Sequence, residues 1–176
     1  LMLNCGMRVS ELVGIDIPDI RDDTLKLLGK GNKERIVYLN DACKFALEEY
    51  LKVRKIPENC SREDRNALFL SNRGKRLTTR RVEQIVETSL QQAGLDGKGI
   101  SPHKLRHTAA TIMFQHGGVD IRVLQEILGH ENLGTTEIYT HISNRQLQDA
   151  AVSSPLSKIM PPKVQTISSI IDTEDE

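Results

Sequence analysis

Tryptophan is absent from this 176-residue chain, and only 3% of its residues are aromatic. Because 38% of the residues are hydrophobic, the chain can still bury one core, and that core must be aliphatic. The sequence has no apolar run long enough to cross a bilayer and no signal-peptide pattern, so we expect a cytoplasmic protein that does not enter a membrane. The length predicts one domain, or one domain followed by a tail.

Cysteine is also scarce, with Cys5, Cys43 and Cys60 at scattered spacings. Zinc sites and disulfide frameworks are built from paired or regularly spaced cysteines, and no CxxC pair occurs here. We therefore predict neither a zinc site nor a disulfide framework, and we interpret the three thiols as reduced and structural.

Net charge is zero, which by itself argues against nucleic acid as a partner. The distribution of charge argues the other way, because residues 30–81 hold fourteen Lys and Arg against seven Asp and Glu. We interpret Arg73–Arg81 as a surface for the DNA backbone. An ordinary solvated surface is the alternative interpretation of this basic stretch.

Periodicity and turn signals predict a mainly α protein with a small antiparallel β-sheet on one edge, an α+β fold. Alternating apolar residues predict strands at Thr24–Leu28 and Arg35–Leu39, with a hairpin turn at Gly29–Asn32 between them. Ile15–Ile20 is a candidate third strand. Helical spacing predicts helices at residues 8–13, 41–55, 79–93, 102–117, 121–128 and 144–152.

The stretch Ser101–His141 contains all five histidines of the chain. Ser101 and Pro102 predict a helix start, with serine as the N-cap and proline at the first helical position. His103 and Arg106 then share one face of the first turn, where unpaired backbone N–H groups attract anions. This arrangement outlines a phosphate site, although two solvated surface residues would give the same pattern.

A tyrosine follows in the same stretch. The helix at residues 121–128 is predicted to end at Gly129 in a left-handed C-cap; His130 follows directly, and Tyr139 comes nine residues after it. A tyrosine phenol can attack phosphorus when the phosphate is held in line. These residues therefore favour chemistry with a covalent phosphotyrosine intermediate.

The segments SPHKLRHTAAT, LGH and TTEIYTH resemble the catalytic domain of the tyrosine recombinases, the family of phage integrases and Xer-type recombinases. The resemblance extends to GMRVSEL at residues 6–12 and to GKGNKER at residues 29–35, and it covers residues 1–145. It implies the tyrosine recombinase catalytic-domain fold. It also implies a site-specific recombinase that cleaves and rejoins DNA strands through a 3′-phosphotyrosyl link, with no cofactor and no metal.

The resemblance assigns the catalytic set Arg8, Lys30, His103, Arg106, His130 and Tyr139. By this resemblance Tyr139 is the nucleophile, and the two arginines hold the non-bridging oxygens of the phosphate. Lys30 is the general acid that protonates the leaving 5′ oxygen, and Lys33 is its rival within the same turn.

The two histidines of the set are expected to bind a non-bridging oxygen and to relay the tyrosine proton. A metal site built on His103 and His130 is the alternative, with only Glu131 nearby as a further ligand. The predicted DNA-contacting residues are Lys33, Arg35, Arg73, Lys75, Arg76, Arg80 and Arg81.

Residues 1–153 are predicted to form the catalytic domain, and the N-terminal DNA-clamping domain usual in the family is absent from this chain. Residues 154–176 are predicted to form a tail that docks on a neighbouring subunit or back on its own domain. The expected partners are double-stranded DNA and further copies of the chain, as a tetramer on DNA. Alternatives left open are a DNA-binding regulator that no longer cuts and a type IB topoisomerase-like enzyme; an element-borne integrase and a chromosome-dimer resolvase are equally open.

Overall fold

The computed structural model describes residues 1–129 and 144–160, with the backbone alone at Lys30. It is mainly α-helical with one small antiparallel sheet, which confirms the predicted fold class. The helices of the described residues are α1 (Met2–Cys5), α2 (Val9–Gly14), α3 (Asp41–Val53), α4 (Thr79–Gln92), α5 (Pro102–Gln115), α6 (Ile121–Leu128) and α7 (Asn144–Ser153). The strands are β1 (Ile20–Arg21), β2 (Thr24–Leu28) and β3 (Glu34–Tyr38).

The sheet has the order β1-β2-β3, and both pairs of strands are antiparallel. The predicted hairpin is confirmed: Leu28 pairs with Glu34, and the amide of Gly29 donates to the carbonyl of Lys33 at 2.8 Å. Lys30 therefore lies in a tight turn between two strands. Within that turn Gly31 has a φ of 73°, in the left-handed region that glycine adopts without strain.

The candidate third strand was placed too early. The structure puts a 3₁₀ turn at Ile17–Asp19, and only Ile20–Arg21 pairs with β2. Pro18 lies in that turn and has no N–H to give to a sheet ladder. The amide of Asp16 donates to Asp19 Oδ2 at 2.9 Å, which stabilises the turn against an extended conformation.

Side-chain N-caps begin four of the longer helices, and the one at Ser101 is where the sequence predicts it. In each case the cap oxygen accepts a hydrogen bond from a backbone amide of the first turn, one of the donors that a helix leaves unpaired. The caps are Asn40 for α3, Thr78 for α4, Ser101 for α5 and Asp120 for α6.

Two clusters of aliphatic side chains form the core. The first lies between α1, α2, the sheet and α3, and the second between α5, α6 and α7. Gly6 joins them, because a Cβ at this position would lie 2.7 Å from Leu128 Cδ2 and its φ is 58°. Glycine at residue 6 therefore suits both the left-handed backbone and the close approach of α1 to α6.

The chain after residue 143 packs against its own domain. Asn40 Nδ2 donates to Ala151 O at 3.3 Å, and Gln148 Nε2 donates to Asp23 Oδ2 at 3.1 Å. The turn Pro155–Lys158 contacts α1 and α3, and its Ser157 is buried. The first residues of the predicted tail thus contact the domain, while residues 161–176 lie outside the described part of the chain.

All three cysteines are buried and free, in agreement with their structural interpretation. Cys5 Sγ on α1 lies 3.9 Å from Cys43 Sγ on α3, so this pair packs the two helices together. Within residues 1–129 and 144–160, none of the helices is long and apolar enough to cross a membrane.

Replacing the Asn40 side chain tests how α3 is joined to α1 and α7. Its side chain caps α3 and donates to both Asn4 Oδ1 and Ala151 O, and the residue is 2% exposed. We expect Asn40→Ala to lower the free energy of unfolding by about 2–4 kcal/mol, the sum of a lost cap and of buried groups left unpaired. Urea denaturation measures the loss. Asn66→Ala, at an exposed position, is the matched control, and equal losses in the two variants would contradict the proposed role of Asn40.

Candidate active site

Arg8 lies at the N-cap of α2 and faces Glu11 one turn later. Its backbone amide donates to Glu11 Oε2 at 2.7 Å, and its Nη1 donates to Glu11 Oε1 at 2.9 Å. Nη2 reaches the carbonyl of Gly129 at 3.4 Å. The side chain nevertheless remains 40% exposed, so the guanidinium is fixed on one side and open to a ligand on the other.

Glu11 is the carboxylate on which this network converges, and its side chain is 2% exposed. It accepts from Arg8 and also from both Nη atoms of Arg35, with Nη2 at 2.9 Å. Burial acts to raise the pKa of Glu11, but the hydrogen bonds from Arg35 and Arg8 outweigh burial and hold the pKa below its ordinary value. Glu11 is therefore an anion at neutral pH.

Arg35 does not occupy the DNA-contacting position predicted for it. Its side chain is only 12% exposed, its two Nη atoms bind Glu11, and its Nε donates to the carbonyl of Ile127 at 3.1 Å. With both edges of its planar fork engaged inside the protein, the guanidinium is a link between β3, α2 and α6. The charge count of the sequence could not distinguish this arginine from a solvated one.

Arg106 is buried on α5, with 7% of the residue exposed. Nη1 donates to Gly6 O and Nη2 donates to Leu128 O, both at 2.6 Å. Burial, followed by the positive charge of Arg8, lowers the pKa of Arg106 to about 10. Arg106 thus stays charged at neutral pH, and a nearby anion would stabilise that charge.

The three arginines share one anchor. Arg8, Arg35 and Arg106 each donate to one of the consecutive carbonyls of residues 127–129 at the end of α6. These carbonyls form the negative end of a helix dipole, and the Glu11 carboxylate supplies one full negative charge. Three guanidiniums against one carboxylate leave an excess of two positive charges in the network. Such a site is suited to bind a phosphate oxyanion.

The hairpin that carries Lys30 lies against the same network. A Cβ built at Gly29 would be 3.8 Å from Glu11 Oε1 and 4.0 Å from Arg35 Nη1. The backbone directly before Lys30 therefore lies within about one side-chain atom of the carboxylate that also holds Arg8. The structure brings together the predicted Arg8, Arg106 and the backbone of Lys30.

His103 is exposed at the second position of α5, one turn before Arg106. His130 and Tyr139 lie outside the described residues, although Gly129, which directly precedes His130, belongs to the arginine network. Within the described residues, no cluster of three His, Cys, Asp or Glu side chains is arranged to hold a metal ion.

Some of the other predicted DNA-contacting residues are exposed, and others are held by contacts within the domain. Arg73, Lys75 and Arg80 are exposed and available to a partner, and Lys33 is exposed in the hairpin. Arg81 is half-buried, and its Nη1 donates to Gln84 Oε1 at 3.4 Å.

The structure does not support the DNA contact predicted for Arg76, because its guanidinium binds groups within the domain. Nη1 donates to Val13 O at 3.0 Å and to Ile15 O at 3.1 Å, and Nη2 pairs with Asp16. Its guanidinium closes the loop after α2 instead of pointing at a partner.

The sequence pattern of the phage integrase family matches residues 1–146. The chain is 53% identical over 158 residues to the tyrosine recombinase XerC of Caldanaerobacter subterraneus subsp. tengcongensis, which covers 90% of this chain and 44% of that protein. It is 40% identical over 146 residues to the tyrosine recombinase XerD of Proteus mirabilis, covering 82% of this chain and 46% of the relative. The chain spans about half the length of the curated relatives it matches.

Two solved structures share the fold. The XerA recombinase superposes with a TM-score of 0.65 at 34% identity, over 92% of this chain and 56% of that one. The XerH site-specific recombinase, bound to its difH substrate in a pre-cleavage complex, superposes with a TM-score of 0.63 at 32% identity, over 85% of this chain and 43% of that one.

Glu11→Gln tests the electrostatics of the site. At pH 7 we expect this change to lower the free energy of unfolding by about 3 kcal/mol, because it leaves the buried Arg35 without its counter-charge. Since the pKa of Glu11 is lowered in the folded state, the stabilisation is present above the ordinary carboxyl pKa of about 4.3 and is lost as the pH falls through the folded value. The difference between wild type and variant must therefore shrink in acid. Denaturant titrations between neutral and acid pH measure it.

Glu34→Gln is the matched control, because the Glu34 side chain is 60% exposed and pairs with an exposed lysine. A Glu11→Gln deficit that is independent of pH, or no larger than that of Glu34→Gln, would contradict the assignment.

Proposed function

The chain belongs to the phage integrase family, and from that membership we propose that it cleaves and rejoins DNA strands as the catalytic part of a tyrosine-type site-specific recombinase. The observation that carries the proposal is that Arg8 and Arg106 are both held by carbonyls at the end of α6, near the buried Glu11 carboxylate, with an excess of positive charge. Guanidinium groups are planar and always charged, and they suit the non-bridging oxygens of a phosphodiester.

The first step is the binding of a backbone phosphate. The open side of Arg8 offers N–H donors to one oxygen, and Arg106 supports the second oxygen from its buried position on α5. Both arginines are already held by backbone carbonyls, so little reorganisation is needed as charge builds up on the phosphorane. His103, exposed one turn before Arg106, is proposed to donate a hydrogen bond to the same phosphate.

The second step is attack by Tyr139 on phosphorus. The bond from phosphorus to the 5′ oxygen breaks, a 3′-phosphotyrosyl ester forms, and Lys30 gives a proton to the leaving 5′ oxygen. His130 takes part in moving the tyrosine proton. A 5′-hydroxyl of another strand then attacks the ester and releases Tyr139, so the energy of the phosphodiester is conserved through the cycle.

DNA is the proposed partner, and the exposed Arg73, Lys75 and Arg80 supply contacts to its backbone. Lys33, at the turn next to Lys30, is proposed as a further phosphate contact. We also propose that four copies assemble on DNA and cut in turn, with residues 161–176 available for contacts between copies. The XerH relative is a site-specific recombinase that binds its difH substrate, which makes that duplex a suitable first probe.

Tyr139→Phe tests the nucleophile. We expect the variant to bind a nicked difH duplex as wild type does and to form no covalent complex, because phenylalanine lacks the attacking oxygen. Denaturing gels that separate protein–DNA adducts measure the yield. A wild-type yield in the variant would refute Tyr139 as the nucleophile, while a wild-type chain that binds DNA without any adduct would favour a DNA-binding regulator that does not cut.

The salt dependence of DNA affinity tests which basic residues contact DNA and which are held within the domain. Loss of one phosphate contact in Arg80→Ala is expected to reduce the slope of log K against log salt by about 0.9. Arg76→Ala should leave the slope unchanged and should instead lower stability, because Arg76 holds two carbonyls and Asp16 within the domain. Equal slopes for Arg80→Ala and wild type, or a reduced slope for Arg76→Ala, would overturn the division.

A further inference from the structure

Arg35 joins three separate elements through one guanidinium. It belongs to β3, its Nη atoms hold Glu11 on α2, and its Nε donates to Ile127 O at the end of α6. The partners are 24 and 92 residues away along the chain. A side chain with these contacts fixes the distance between three parts of the fold at once.

Those three parts each carry a group of the proposed reaction. The hairpin between β2 and β3 carries Lys30, α2 begins at Arg8, and α6 ends just before His130. Arg35 faces Leu27 across the hairpin, three residues before Lys30, so its own position is fixed relative to the turn by the strand register.

Arg35 packs most closely against Gly129 and also lies near Gly29. A Cβ at Gly129 would lie 3.2 Å from Arg35 Cδ, and a Cβ at Gly29 would lie 4.0 Å from Arg35 Nη1. The guanidinium is thus enclosed between the turn before Lys30 and the C-cap before His130.

We propose that Arg35 is a positioning residue for DNA cleavage, which holds the Lys30 hairpin at a fixed distance from the phosphate-binding Arg8 and Arg106. It acts through Glu11 and the Ile127 carbonyl and does not itself touch DNA. The proposal has a structural half and a catalytic half. The structural half is that Arg35 holds the Lys30 hairpin in place. The catalytic half is that this position supports cleavage, and it rests on the proposed recombinase function.

Lysine cannot replace arginine in this role. An ammonium group is a single compact charge, whereas the guanidinium presents separate edges to the carboxylate and to the carbonyl. Arg35→Lys therefore keeps the charge of the site and loses the link. Arg21→Lys is the matched control, because Arg21 is exposed on β1 of the same sheet.

The structural half is tested without DNA by amide hydrogen exchange. In Arg35→Lys the amides of residues 29–33 are expected to exchange at least tenfold faster than in wild type, with the amides of α3 unchanged; in Arg21→Lys neither changes. Unchanged exchange in the hairpin would overturn the proposal. An equal acceleration in the hairpin and in α3 would also overturn it, because that result means a general loss of stability.

The catalytic half is tested with two nicked difH duplexes, one with the ordinary 5′ oxygen and one with sulfur at that bridging position. A thiolate leaves without proton donation, so cleavage of the sulfur substrate does not depend on the general acid. We expect Arg35→Lys to cut the oxygen substrate about a hundredfold more slowly than wild type, the cost of a misplacement of roughly 1 Å, and to cut the sulfur substrate within a few-fold of wild type.

Equal impairment on both substrates would overturn the positioning of Lys30 by Arg35, since a loss of phosphate binding or of folded protein affects both duplexes alike. A different result is expected if the chain does not cleave DNA at all. In that case wild type forms no adduct with either duplex, while hydrogen exchange still decides whether Arg35 anchors the hairpin.

Discussion

The ion pair between Glu11 and Arg35 is the interaction on which the rest of the site depends. A carboxylate with a side chain 2% exposed is costly unless its charge is matched and its oxygens are hydrogen-bonded. Arg35 and Arg8 meet both conditions, and in doing so they fix the strand that follows the Lys30 hairpin and the start of α2 relative to one another. The carboxylate thus fixes the position of Arg8, the arginine that we propose binds phosphate.

The end of α6 provides the second half of this anchor. Its last carbonyls accept from the same arginines that are proposed to bind phosphate, so the guanidiniums are oriented before any DNA arrives. Gly6 suits this geometry, since its φ of 58° favours glycine and a Cβ at this position would lie 2.7 Å from Leu128 Cδ2. The carbonyls at the end of α6 and the contact between α1 and α6 therefore lie close together, directly before His130 in the chain.

Local signals in the sequence predicted much of this fold. The cap at Ser101 and the glycine-rich hairpin act through neighbours only a few residues away, and the structure has them where the sequence predicts. Arg35 and Arg76 were beyond such reasoning, because their partners lie 92 and 63 residues away along the chain. A basic residue in a basic stretch looks the same in sequence whether its donors face solvent or a buried carbonyl. The third strand was misplaced for a different reason, since Pro18 favours a turn that apolar spacing alone does not reveal.

The most direct test of this account is the position of a bound oxyanion. Crystals of the chain soaked in tungstate, a heavy phosphate analogue, reveal the metal by its anomalous scattering. The account predicts a tungsten peak with its oxygens within hydrogen-bonding distance of both Arg8 and Arg106, and loss of that peak in Glu11→Gln. Tungstate bound only elsewhere, or a peak that persists unchanged in Glu11→Gln, would contradict the claim that one buried carboxylate assembles the phosphate site.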